Sequence, residues 1–239
     1  MSNNIFKQVE SYVTDLFETH KKSKLAFHSL AHTQQIVRRA EEIGMHYNLE
    51  ERDMTVVKIA AWFHDTGYLF TGPENHEERS VEQMKLFMQA NYPDPDVIQL
   101  VEGCILATKQ GSNPTTLIQQ ILCDADTYHL GTKDFKKTNK LVRKEYAADH
   151  EITKREWDIR SLEFLEKHQY FTSYCNGLLS KGKQENIDML RNKMAEKAIN
   201  NDEGTFFPQK KTEDNKENKQ ADGLLSKGIQ TMLKTASSN

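Results

Sequence analysis

Ala60-Ala61-Trp62-Phe63-His64-Asp65-Thr66-Gly67-Tyr68 sets an imidazole and a carboxylate side by side at the end of an apolar run, with a glycine two residues on. Val57, Ala61, His64 and Asp65 recur at three- to four-residue steps, so a single helical face carries them. Gly67 stands where a C′ glycine would stop that helix. Burying a charge without a partner is costly, and a divalent cation is one such partner. A histidine and an aspartate that merely close a helix end account for the pair equally well, so the other candidate ligands decide.

Outward from this stretch nearly everything reads as helix. Residues 4–20 form an amphipathic stripe through Ile5, Val9, Val13, Leu16 and Phe17. A basic loop over 21–28 leads into a helix over 30–47 that carries Ile36, Val37, Ala40 and Ile43 inward. The central helix spans 51–65. Asn75 is placed to cap a helix over 76–91, Tyr92-Pro93-Asp94-Pro95 breaks it, and the next covers 95–108. Thr115 or Thr116 caps a helix running to about 129, ended by Gly131. Helices over 133–148 and 152–170 follow, the second packing through Trp157, Leu162, Phe164 and Leu165. No stretch alternates with the period of a sheet strand, and the fold class is therefore all-α.

The chain has 239 residues, a net charge of -3 and three dispersed cysteines, with a mean hydropathy of -0.75. No global basic field argues for nucleic acid, no apolar run reaches the ~20 residues of a membrane span, and no signal-peptide core opens the chain. Scattered Cys104, Cys123 and Cys175 fit a reducing cytoplasm rather than a disulfide frame. Composition divides the chain into a domain over 1–199, a polar linker over 200–222 and a segment over 223–239. That last part reads as an amphipathic tail or the start of a following domain, as though the chain were a piece of something longer. Gly177-Leu-Leu-Ser-Lys-Gly182 recurs as Gly223-Leu-Leu-Ser-Lys-Gly228; two copies do not make a solenoid.

Further candidates for chemistry lie on either side of the central helix. His32 shares a face with Ile36, Ala40 and Ile43, which by itself fits a core histidine better than a ligand; His28 sits one turn earlier. In Ile121-Leu122-Cys123-Asp124-Ala125-Asp126, both carboxylates flank the apolar stripe at similar angles, and periodicity does not choose between them. His76, Glu77 and Arg79 begin a helix, where backbone N–H groups favour an anion. Lys109 ends another, where it also complements the dipole.

The ordered set FHSLAHTQQIV, AAWFHDTGY, NHEERS, ATK and LCDADTYHLG, over roughly residues 22–175, resembles the HD-domain superfamily of metal-dependent phosphohydrolases. The resemblance implies an HD-domain helical bundle with a disordered or partly helical C-terminal tail. It implies metal ligation by His32 (rather than His28), His64, Asp65 and Asp126 (rather than Asp124). Asp124 then becomes a supporting or acid–base group beside Asp65 and His76, while Lys109 joins Arg79 and His76 as candidates to hold a phosphate. Two imidazoles and two carboxylates suit one divalent ion, whether Mn, Mg, Fe, Co, Ni or Zn. Relatives with two metals draw on extra histidines between the His-Asp pair and the last aspartate. Only His76 stands there in this chain, so a single ion is expected, with Asp65 and His76 left as a weaker second position.

The implied reaction is hydrolysis of a small nucleotide, cyclic ones included, or of another phosphate ester. A nucleotide-sensing module and a diiron-type oxygenase are the rival readings, the latter disfavoured by the shortage of histidines. Alarmone hydrolases of the superfamily carry a Glu-Asp pair after His-Asp; Thr66-Gly67-Tyr68-Leu69 stands here instead. Residues 227–239 resemble the start of the membrane-anchored effector domain of Pycsar antiphage systems, which follows an HD domain in some bacterial proteins. That resemblance implies a cytosolic module of a membrane protein, with a homo-oligomer left open.

Overall fold

The computed structural model describes residues 2–202, with side chains from Asn4 to Glu196. Among these residues there are nine α-helices and no strand: α1 (Ser2–Thr19), α2 (Leu30–His46), α3 (Glu51–Phe63), α4 (His76–Asn91), α5 (Pro95–Ala107), α6 (Leu117–Asp126), α7 (Phe135–Tyr146), α8 (Lys154–Lys167) and α9 (Ser173–Asp202). Short 3₁₀ turns at Thr66–Leu69 and Tyr128–Gly131 extend α3 and α6. The protein is all-α, as its periodicity indicates.

Helix α3 runs through the middle. Thr55, Val56, Val57 and every residue from Ile59 to Phe63 are buried, the pattern of a helix enclosed on all sides. It packs against α1, α2, α5 and α6. A smaller apolar cluster of Leu130, Phe135, Leu165, Ile187 and Leu190 joins α7, α8 and α9. Polar side chains set several helix starts. Ser29 caps α2, Asp94 caps α5 ahead of Pro95, and Thr116 and Thr153 form capping boxes with Gln119 and Glu156.

The structure departs from the sequence reading at several places. Helix α3 stops at Phe63, and Gly67 lies inside the following 3₁₀ turn rather than at a C′ position. Its lack of a side chain serves packing instead, because a Cβ there would lie 1.9 Å from the His76 carbonyl oxygen. Asn75 precedes α4 but adopts a left-handed conformation (φ 56°) and makes no side-chain cap. Phe164, expected in the core, is 42% exposed.

Helix α9 was not foreseen. Its buried apolar positions are the sparse Cys175, Leu179, Ile187 and Leu190, too few to draw a continuous stripe along a charged segment. Its helical residues run to Asp202, and the chain divides into compact units at Ile199, where the domain boundary is expected. The rest of the expected linker, the second Gly-Leu-Leu-Ser-Lys-Gly copy and the segment over 223–239 lie outside the described residues. No helix among the described residues is long and apolar enough to cross a membrane.

Candidate metal centre

Helix α2 and the ends of α3 and α6 bring His32, His64, Asp65 and Asp126 to one place. His32 Nε2 lies 3.4 Å from Asp65 Oδ2 and 3.3 Å from Asp126 Oδ1. His64 Nε2 lies 3.2 Å and 3.7 Å from the same two oxygens. His32, His64 and Asp65 are buried; the Asp126 side chain is 28% exposed and opens the cluster to solvent.

Local structure aims these atoms. His64 Nδ1 donates to the Ala61 carbonyl at 2.8 Å, which fixes the tautomer and leaves the Nε2 lone pair facing the carboxylates. Ser80, on α4, ties the corner together: its hydroxyl donates to the His64 carbonyl (2.6 Å) and accepts from the Gly67 N–H (2.8 Å). The close approach of Gly67 to His76 then seats the start of α4 against the turn.

The arrangement fits a divalent ion. His32 Nε2, His64 Nε2 and Asp65 Oδ2 are buried and make no hydrogen bond, a costly state for three neighbouring polar atoms. Ligands about 2.1 Å from an ion at a tetrahedral angle stand about 3.4 Å from one another, in the middle of the 3.2–3.7 Å range found here. Donor atoms of His32, His64 and Asp126 all lie within 4.8 Å of one another. Imidazole and carboxylate are the donor types that borderline and hard divalent ions accept.

The charges are strongly coupled. Burial opposes protonation of His32 and His64, but the facing carboxylates outweigh it and raise both above the ordinary histidine range, His64 well above it. Burial likewise disfavours charge on Asp65 and Asp126, yet the imidazoles hold both below the usual carboxylate range. A bound cation would take over the role of these protons and release them.

The other expected residues divide. His76 Nδ1 donates to the Pro73 carbonyl at 2.8 Å, and its Nε2 lies 3.8 Å from Asp65 Oδ1. Asp65 therefore shows one oxygen to His32 and His64 and the other to His76. Asp124, expected to support the acid–base chemistry, points elsewhere. Its oxygens accept from the Phe171 N–H (2.9 Å), the Thr172 N–H (2.8 Å) and the Thr172 hydroxyl (2.6 Å) at the approach to α9. Lys109 pairs with Glu78 at 2.5 Å on the surface. Arg79 pairs with Glu82 and lies over the Phe70 ring, 4.8 Å from its centre. Neither cation is directed at the cluster.

Several neighbours escaped the sequence reading. Tyr68 is sandwiched between the rings of His28 (3.8 Å between centres, 10° between planes) and His76 (4.1 Å). His129 Nδ1 lies 3.2 Å from the Asp126 carbonyl oxygen, and burial, reinforced by the charge of His32, pushes its pKa down to about 4. Glu145, from α7, clasps the loop before α2. Its Oε2 accepts from the N–H groups of Phe27 (2.9 Å) and His28 (3.1 Å), while Oε1 meets His28 Nδ1. The only available signal was the spacing of His28 one turn before His32; Glu145 gave none. Surface hollows of about 740 and 840 Å³ lie beside residues 147–156 and between α7, α8 and α9. They share no residue with the cluster, so chemistry rather than hollow size locates the site.

Residues 28–131 match the HD-domain family. The match spans His32, the His64–Asp65 corner and Asp126, and makes this part of the chain similar to HD domains, a family whose members are generally metal-dependent hydrolases. It ends at Gly131 and lends no support to the fusion suggested by residues 227–239. No curated protein and no solved structure is similar enough to the chain to count as a match.

Proposed function

We propose that this HD domain is a metal-dependent phosphohydrolase, a phosphodiesterase or phosphomonoesterase acting on small nucleotides, cyclic ones included. The observation that carries the reading is the set of three buried, unbonded donor atoms that face one another with Asp126 Oδ1. His32, His64, Asp65 and Asp126 would hold one divalent ion. When bound, that ion lowers the pKa of water and steadies charge on phosphoryl oxygens.

The chain supplies the rest. Asp65 Oδ1, on the side away from His32 and His64, would receive a proton from the attacking water, and His76 Nε2 stands 3.8 Å away to relay it. The stack of His28, Tyr68 and His76 keeps that imidazole in place. The helix start at His76 offers backbone N–H groups to a phosphate, and Lys109 or Arg79 would take part by exchanging its surface carboxylate for the substrate.

The test combines metal analysis with turnover. Purified protein, supplied in turn with Mn, Mg, Co and Zn, should retain about one ion per chain and hydrolyse members of a panel of cyclic and linear nucleotides. His64→Ala combined with Asp65→Ala should lose both ion and turnover. Nucleotide binding without product would instead identify a sensor.

A further inference from the structure

The chain carries a net charge of -3, yet residues 133–144 set Lys133, Lys136, Lys137, Lys140, Arg143 and Lys144 against a single acid, Asp134. Arg143 and Lys144 complement the C-terminal end of α7. Lys136 and Lys137 do the opposite, because they stand in its first turn, where the helix dipole disfavours a cation. Lys154, the first residue of α8, is placed in the same unfavourable way. Lys136, Lys140 and Arg143 also follow one another at four- and three-residue steps, which lines up like charges on one face at a cost to the helix. Among the described residues none of Lys136, Lys140, Arg143 and Lys154 finds an ion pair or a side-chain hydrogen bond. Arg143 Nε is buried and has no hydrogen-bond partner, a state that solvation of a surface helix does not explain.

These four cations line the hollow of about 840 Å³ between α7, α8 and α9, a volume within the range of small-molecule sites. Helix α8 adds Trp157 to the lining. Its half-buried indole donates to Asn139 Oδ1 at 2.9 Å, and the same oxygen accepts from the Ser161 hydroxyl at 3.0 Å, so the ring is held in one orientation. Helix α9 brings Glu185 and Glu196, which also make no ion pair among the described residues, while Lys193 and Asp158 neutralise each other at 2.7 Å. A bare inorganic anion would use the cations but meet the α9 carboxylates. A molecule with phosphates, a flat ring and N–H or O–H donors uses all three walls.

We infer that this hollow is a second binding site, separate from the ion cluster, for a nucleoside di- or triphosphate. Its phosphates lie on Lys136, Lys140, Arg143 and Lys154, its base stacks on Trp157, and its hydroxyl or amino groups donate to Glu185 and Glu196. More than one phosphate is required because the cations outnumber what a single phosphate would neutralise. The hollow shares no residue with the candidate ligands, so the inference stands whether or not the protein is a phosphohydrolase.

The test reads Trp157 directly. The chain has two tryptophans, and the other, Trp62, is buried elsewhere, on α3. The full chain, as purified and again with EDTA to silence any turnover, is titrated with ATP and with GTP. At least one of them should quench tryptophan fluorescence saturably below about 1 mM, with about one molecule bound per chain by calorimetry, and equally with and without EDTA. Trp157→Phe should abolish the quenching. Lys136→Glu combined with Lys140→Glu, both exposed and so harmless to folding, should weaken binding at least about tenfold. Sodium triphosphate, which has no base to stack, should bind about 5- to 100-fold more weakly than the nucleotide. The inference is overturned by the absence of a saturable response to either nucleotide, by quenching that survives Trp157→Phe, or by unchanged affinity in the double lysine variant. Binding that EDTA abolishes would place the nucleotide at the ion cluster and overturn it too. Triphosphate binding as tight as that of the nucleotide would reduce the hollow to an anion patch, and a response to single-stranded oligodeoxythymidine alone would make it a nucleic-acid surface; either result overturns the inference.

Discussion

Asp65 divides its carboxylate between two neighbourhoods, and that division makes the number of ions measurable. With one ion, His76→Gln should leave about one ion per chain by elemental analysis while lowering turnover. With a second ion between Asp65 Oδ1 and His76, the same change should lower the count. Asp65→Asn, which touches both sides, should lower ion retention in either case. A second residue-scale prediction concerns His168. Burial, reinforced by the charge of Lys183, pushes its pKa down to about 4 from the ordinary 6.5. The unfolded chain therefore binds more protons between those values, so this contribution to stability is complete above pH 6.5 and is lost as pH falls toward 4. Chemical denaturation across that window should show a steeper loss in the wild type than in His168→Gln, whatever the offset between them. At this scale the sequence was informative where residue type and order carry the chemistry, as with His32 and the His64–Asp65 pair. It could not separate Asp124 from Asp126 by angle, because what distinguishes them is the α9 approach packed on one side. Glu145 lies 117 positions from His28, and no local pattern announces such a partner.

The elements that hold the corner are short and tightly apposed. Gly67→Ala would drive a methyl group into the His76 carbonyl, a backbone collision that typically costs about 1–3 kcal/mol. The variant should melt lower and, by displacing α4, turn over more slowly than its folded fraction explains. Asp124 offers a contrasting case, since its hydrogen bonds tie α6 to the start of α9. Asp124→Asn should lower stability by about 1.5–3 kcal/mol while leaving the ion count unchanged, which separates an anchor from a ligand. Most helices were legible because caps and apolar stripes coincide, as with Thr116 ahead of α6. Helix α9 was not, because its buried apolar positions are sparse and several of its other holds on the body are polar or made by glycine. Asn186 donates to the Leu130 and Thr132 carbonyls, and Gly182 lies so near Gly131 that a Cβ would come within 2.1 Å of its carbonyl oxygen.

For the molecule as a whole, an ion held by the buried ligand atoms would make folding and ion binding one linked equilibrium. An ion present at a hundred times its dissociation constant stabilises the native state by about 2.7 kcal/mol. Chelation should therefore lower the melting temperature of the wild type, and much less that of His64→Ala combined with Asp65→Ala. The core around α3 remains in either state, because Val56, Ile59 and Phe63 owe their burial to neighbouring helices and not to the ion.

The family match stops at Gly131, but the carboxylate that grips His28 comes from α7 and the partners of Asp124 come just before α9. Trimming a gene to codon 131 would keep every candidate ligand in the spelling and discard the scaffolding that aims one imidazole and ties down another wall. An inert fragment of that kind would speak about the scissors, and not about the protein from which it was cut.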